Sequence, residues 1–177
     1  MTVGHPDEIP NSGAVDIRPA TASDAPAVLE IYNREVLSST ATFDLVPRTL
    51  EQQREWLAAR SGAFTAVVAV DRTSGAVIGF AALSPYKERA AYSTTVENSV
   101  YVHRDHTGRG VGSALMRHLV EIATESGFHS IIARIEASGT ASRALHASVG
   151  FELVGIEREV GRKFGRWLGV AVMQKLL

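Results

Sequence analysis

The chain contains no cysteine. Disulfides, thiolate metal sites and a cysteine nucleophile are therefore excluded. No apolar run approaches the roughly 20 residues a membrane-spanning helix requires. The first 13 residues lack both the basic and the apolar segments of a secretory signal. Charge of neither sign is in excess: the formal net charge is −1, which gives no electrostatic reason to expect nucleic acid or a membrane surface as partner. A cytoplasmic protein is the default expectation. The six histidines are scattered, and no two stand at helix ligand spacing beside a carboxylate, so no metal is assigned. Internal repeats and low-complexity stretches are also missing.

What is present fits one soluble domain. A chain of 177 residues can bury a sizeable core without splitting. Residues 1–14 are rich in Pro, Gly, Asp and Asn and read as a loose tail, leaving residues 15–177 as the domain. A short strand is expected at 15–18. Thr21 and Asp24 have capping-box spacing ahead of an apolar helix face at Val28, Leu29, Ile31, Tyr32 and Val36. Thr49 and Gln52 open a second helix through about Ala59. Residues 64–70 and 76–83 read as a hairpin, and 94–103 as a third strand of that set. Residues 112–126 carry a clear helix stripe ending at Gly127. A continuous apolar strand at 129–135, a helix at 139–149 and strands at 151–159 and 167–176 complete the chain, the last two joined by a basic turn at 161–166. The order β-α-α-β-β-β-α-β-α-β-β predicts a mixed sheet covered by helices, a three-layer α/β domain.

The most informative stretch is Thr107-Gly108-Arg109-Gly110-Val111-Gly112-Ser113, between a strand and a helix. Glycines at alternate positions let a ligand approach the backbone closely. Unpaired N–H groups and the dipole at a helix start favour an anion such as a pyrophosphate. No Lys follows the glycines as a Walker loop requires. Counting from Gly110 or Gly108, the third glycine of a dinucleotide fingerprint falls on Leu115 or Ser113. Nucleotide hydrolysis and dinucleotide redox chemistry are thus disfavoured.

Arg109-Gly110-Val111-Gly112 after a strand, followed by a helix, a strand and Leu145-His146-Ala147-Ser148-Val149-Gly150-Phe151, resembles the GNAT superfamily of acyl-CoA-dependent N-acetyltransferases. Ser84-Pro85-Tyr86-Lys87, Thr95-Val96-Glu97-Asn98-Ser99-Val100-Tyr101-Val102 and Gly161-Arg162-Lys163-Phe164-Gly165-Arg166-Trp167 resemble its phosphinothricin/methionine sulfoximine N-acetyltransferase group. The resemblance covers residues 15–177. It implies a GNAT-like fold with a mostly antiparallel sheet, acetyl-CoA as co-substrate, and a homodimer. Thr107 stands where the superfamily usually has Gln or Arg, Gly139 where an Asn often begins the helix, and His146 where many members carry a Tyr acid.

The resemblance also implies roles. Backbone groups of Val100, Tyr101 and Val102, in a strand expected to bulge there, would hold the acetyl carbonyl and pantetheine arm. Thr107, Gly108, Arg109, Gly110, Val111, Gly112 and Ser113 would hold the pyrophosphate, and Gly139 and Ser142 would meet the arm further along. Glu97 is the candidate general base on the strength of the Thr95–Val102 match; the residue alone reads rather as a surface strand glutamate paired with a cation. His146 could protonate the leaving thiolate or could be a helix histidine packed against Phe151. Phe43, Lys87, Arg89, Tyr92, Lys163 and Trp167 are candidates for binding a small zwitterionic amine. A free α-amine has a pKa of about 7.7–8.0, so a base helps without being indispensable. Two other readings remain open at this point: the same transfer to a protein N-terminus or polyamine, and acyl-CoA binding without turnover.

Overall fold

The computed structural model describes residues 15–177. Its centre is a seven-stranded sheet in the order β1-β2-β3-β4-β5-β7-β6. In chain order the strands are β1 (Val15–Pro19), β2 (Ala66–Asp71), β3 (Val77–Pro85), β4 (Thr95–Val102), β5 (Ser130–Glu136), β6 (Glu152–Lys163) and β7 (Arg166–Leu176). Every neighbouring pair is antiparallel except β4 and β5. The helices are α1 (Ala25–Ser38), α2 (Leu50–Ala58), α3 (Val111–Glu125) and α4 (Thr140–Ser148).

The two faces of the sheet are covered by different helices. Strand alternation sends Val96, Ile131, Ala133 and Ile135 to one face, where Leu115, Met116 and Leu119 of α3 and Phe151 after α4 close over them. On the other face Phe80, Val68 and Tyr101 meet Val28, Ile31, Tyr32 and Val36 of α1, with Trp56 of α2 edge-on to Phe80. The helix starts follow their sequence signals. Thr49 Oγ1 accepts from the Gln52 N–H at 3.2 Å, and the Thr49 N–H donates back to Gln52 Oε1 at 2.9 Å. Asp24 accepts from the Thr21 N–H at 2.7 Å and takes both Arg18 Nη atoms at 2.8 Å.

One element departs from its sequence reading. β6 does not stop at Glu159 before a basic turn: it runs on to Lys163, and only Phe164 and Gly165 turn the chain into β7. Both have positive φ, 50° and 74°, the requirement of a two-residue turn whose twist matches its strands. The positive charge expected on a solvated loop is thereby carried on a strand. Lys163 becomes buried, and Trp167 falls at an exposed strand end.

Candidate active site

The site is made by a failure of pairing. β4 and β5 run parallel and match only from Thr95 to Glu97 against Ser130 to Ile132. Beyond Glu97, β4 stays with β3 as far as Val102, while β5 stays with β7 as far as Glu136. The sheet opens between them. The β3–β4 register is continuous from Pro85–Val96 to Gly79–Val102, so the expected bulge at residues 100–102 is not what opens it. The divergence of β5 does that alone.

Backbone direction then decides what the gap offers. The Thr94 carbonyl accepts from the His129 N–H at 2.8 Å on the β5 side, and the His103 N–H donates to Ile78 O at 2.8 Å on the β3 side. By alternation, the N–H and C=O of Val100 and Val102 face the gap, where β5 no longer meets them. Buried backbone polar groups require partners, so this strand edge is prepared for an extended ligand.

A cavity of about 440 Å³ passes through the opening. Glu35, Ser39, Thr40 and Ala41 wall it on the α1 face, and Ser138, Gly139, Ser142 and His146 wall it on the α4 face. Glu97, Asn98, Val100, Tyr101, Arg134 and Glu136 line the passage. A through-sheet cavity lets two substrates enter from opposite faces and meet at the gap.

Glu97 stands where β4 leaves β5, on the face shared with Tyr101 and α1. Burial pushes its carboxyl above the ordinary glutamate range, and the positive charge of Arg134 pulls weakly the other way. The Arg134 guanidinium is itself engaged: Nη1 and Nη2 donate to Glu157 at 3.2 and 2.5 Å. Glu136 ties the two rims together, accepting from Thr40 Oγ1 at 3.2 Å and from the Ser138 N–H at 3.0 Å. Arg104 joins α1 to the loop after β4 by donating to Glu35 at 3.0 Å and to Ser38 Oγ at 2.6 Å.

His146 is held at both ring nitrogens. It is 2% exposed and edge-on to Phe151, with ring centroids 5.1 Å apart. Burial pushes its pKa down. Nδ1 lies 2.8 Å from the Ser142 carbonyl and Nε2 lies 2.9 Å from Asn98 Nδ2. A carbonyl can only accept, which assigns the proton to Nδ1 and leaves Nε2 accepting from the Asn98 amide. The ring is neutral with both nitrogens occupied, which disfavours it as a proton source for a leaving thiolate.

The glycine loop lies at the start of α3. Ala114 is the first residue whose N–H reaches back into the helix, to Gly110 O at 3.0 Å. The N–H groups of Val111, Gly112 and Ser113 are therefore the helix's unpaired donors. Gly108 and Gly110 have φ of 73° and 79°, and a Cβ on either would meet no protein atom within 4 Å. The cradle is open at the positions where a ligand would come close. Gly112 serves packing instead: a Cβ there would lie 3.0 Å from Leu145 of α4. Thr107 Oγ1 donates to Arg104 O at 3.0 Å, so its hydroxyl shapes the loop.

The other candidates divide. Phe43 lines a second cavity of about 280 Å³ that shares Ala41, Tyr101, Arg134 and Glu136 with the first. Lys87, Arg89 and Tyr92 border a separate open depression. The field of Lys87 still reaches Glu157, and that of Tyr86 reaches Arg134. Lys163 does not face the cavity: its Nζ donates to Thr42 O at 2.8 Å and holds the loop of residues 39–47. Trp167 is exposed outside the cavity, with the Arg162 guanidinium 5.5 Å from its ring. Sequence reasoning missed Glu35, Thr40, Arg134, Glu136 and Ser138. The available signal was Arg134, a lone cation among the apolar residues 131–135. Among the described residues no group of three His, Asp or Glu could hold a metal ion, and no helix is long and apolar enough to cross a membrane.

A three-layer α/β domain with a parted central strand pair, an anion-ready helix start and a half-buried carboxylate at the gap defines an acyl-transferring enzyme. The chain belongs to the GNAT acetyltransferase family: residues 17–171 match the family described as acetyltransferase (GNAT) domain. It is 39% identical to a phosphinothricin N-acetyltransferase of Streptomyces coelicolor over 96% of this chain and 100% of that one. It is 36% identical to an L-methionine sulfoximine/L-methionine sulfone acetyltransferase of Pseudomonas aeruginosa, over 91% and 94%. Among solved structures it resembles a GNAT superfamily phosphinothricin acetyltransferase from Sinorhizobium meliloti in complex with acetyl-CoA. The TM-score is 0.88 and the identity 38%, over 93% of this chain and 89% of that one.

Proposed function

We propose that the protein acetylates the amino group of a small amino-acid-like acceptor of the methionine sulfoximine, methionine sulfone or phosphinothricin type, using acetyl-CoA. The observation that carries this reading is the half-buried Glu97 carboxylate at the gap, in a cavity walled from both faces of the sheet. The relatives support the acceptor class by their names. Their similarity extends over nearly all of this chain.

The residues fit acetyl-CoA. The N–H groups of Val111, Gly112 and Ser113 would hold its pyrophosphate, beside the open Cα atoms of Gly108 and Gly110. Val100 and Val102 would hold the pantetheine arm along the unpaired β4 edge, with Gly139 and Ser142 opposite. Acetyl-CoA would supply an acyl thioester, and the transfer would be direct: the amine nitrogen bonds to the acyl carbon, the carbon–sulfur bond breaks, and CoA leaves as a thiol that takes up one of the protons the ammonium gives up. Glu97 takes the proton of the incoming ammonium; its raised pKa brings it nearer the amine's. A β4 N–H donates to the carbonyl oxygen as negative charge gathers there. Holding both reactants in line supplies much of the remaining rate. Phe43 and Arg134 shape the acceptor side, while Lys87 lies at the neighbouring depression with its field reaching Glu157. Such a reaction neutralises a toxic amino-acid analogue, which makes detoxification the role.

We infer further that two copies associate through β6. Leu153, Val154 and Ile156 are large apolar side chains left exposed on this edge strand, with Phe164 exposed in the turn that follows it, and unprotected edges favour pairing. Light scattering on the purified protein tests this, with twice the chain mass expected.

The function is tested by thiol release from acetyl-CoA with methionine sulfoximine, methionine sulfone, phosphinothricin, spermidine and a short peptide, one at a time. Turnover with the first three alone supports the reading. Turnover only with the peptide or spermidine overturns the acceptor class.

A further inference from the structure

We propose that the 280 Å³ cavity is the acceptor's side-chain subsite, and that Gly161 sets the length it takes by seating the ring of Phe43. This rests on the acetyl-transfer reading above. The cavity branches from the main one at Ala41, Tyr101, Arg134 and Glu136, all shared between the two. Its size suits a side chain and is below the range of pockets that take whole drug-sized ligands.

Its outer wall is built by an irregularity of β6. The β6–β7 register shifts between Glu157 and Gly161, and Glu159 within it holds a φ of 54°. A non-glycine residue in that region is strained, and such strain gathers where geometry serves function. The bulge brings Val160 to the cavity wall, opposite Val170 of β7. Gly161 follows immediately. A Cβ there would fall 2.5 Å from Phe43 Cδ2, so the aromatic ring lies directly on the bare backbone. Two residues on, Lys163 Nζ holds Thr42 O at 2.8 Å. Positions 161 and 163 share a strand face, so one stretch of β6 both seats Phe43 and ties down its loop.

The chemistry of the walls selects the occupant. Phe43, Val160 and Val170 are apolar. Arg134 is paired with Glu157, and Glu136 stays an anion held by the Thr40 hydroxyl and the Ser138 N–H, so no cation is left over for an anionic side chain. The subsite therefore takes a short uncharged side chain, such as that of methionine sulfone, ahead of the anionic side chain of phosphinothricin. Burying an unpaired charge is the heavier loss.

The test compares kcat/KM for L-methionine sulfone, L-phosphinothricin and L-alanine. Wild type should favour methionine sulfone over each of the others by about tenfold or more, the scale of one pocket-filling group. Gly161→Ala should push the ring into the cavity and lower methionine sulfone by about tenfold, alanine by less than about threefold, with KM for acetyl-CoA unchanged. Adding Phe43→Leu to Gly161→Ala should restore methionine sulfone. If Gly161→Ala does not fold, Phe43→Leu alone decides: it should raise kcat/KM for L-phenylalanine relative to methionine sulfone. Equal losses across acceptors, no rescue, no shift towards phenylalanine, or a wild type preferring phosphinothricin or alanine overturns the inference while the reaction stands. A wild type that turns over none of these amino acids overturns the reaction and the inference together.

Discussion

Asn98 Nδ2 lies 2.9 Å from His146 Nε2, joining the mid-point of β4 to the last turn of α4 across the cavity floor. With Nδ1 donating to Ser142 O, the imidazole is a neutral brace between two layers. His146→Leu should therefore remove two buried hydrogen bonds and lower stability by about 2 kcal/mol, which for a domain of this size is about 4–8 °C in Tm. Once folded, the variant should keep kcat within about threefold, since removing a proton donor would cost about a hundredfold or more. A large loss of kcat with an unchanged melting curve would return His146 to the role of acid.

Gly110 has a φ of 79° and open space at its Cβ position. Gly110→Ala meets a left-handed strain of roughly 1–2 kcal/mol and directs a methyl group into the cradle. KM for acetyl-CoA should rise by about tenfold or more, the effect of roughly 1.4 kcal/mol, while KM for the amine stays within about twofold. Steady-state kinetics with each substrate varied in turn separates the two.

Asp24 is held by Arg18, which together with the Thr21 hydrogen bonds pulls its pKa from 3.8 to about 2. A depressed carboxylate stabilises the fold above its unfolded pKa and loses that contribution as pH falls through the folded one. Asp24→Asn should thus cost about 1–2 kcal/mol at pH 7, allowing for solvent screening at the half-exposed guanidinium. Melting curves of the two proteins should converge between pH 3.8 and about 2.

Much of this architecture was legible before any coordinates. The capping boxes at Thr21 and Thr49, the α3 stripe and the glycine loop are local signals, and each appears where its residues put it. The gap in the sheet is a different kind of feature. It follows from where β5 stops matching β4, a non-local register that neither strand writes into its own sequence. The walls built from Glu35, Thr40 and Glu136 were missed for the same reason, since residues about a hundred positions apart meet there. The β6–β7 turn was misread because Phe164-Gly165 is not one of the common hairpin dipeptides. The cations flanking it looked like a loop. Lys163 is polar by type and buried by place, because two backbone carbonyls satisfy its ammonium.

The most direct test of the account is the pH dependence of kcat/KM for methionine sulfone in wild type and Glu97→Gln, with acetyl-CoA affinity measured alongside. A base works when deprotonated, so wild-type activity should fall as pH drops through the Glu97 pKa, which burial places above the usual glutamate value. Glu97→Gln should lose more than about tenfold near neutral pH, within the range of a missing general base. It should bind acetyl-CoA normally, and its residual rate should climb as the acceptor amine deprotonates near pH 7.7–8.0, the ordinary range for an α-amine. Full activity in Glu97→Gln with an unaltered pH profile would contradict the assignment of the gap carboxylate as the group that takes the proton.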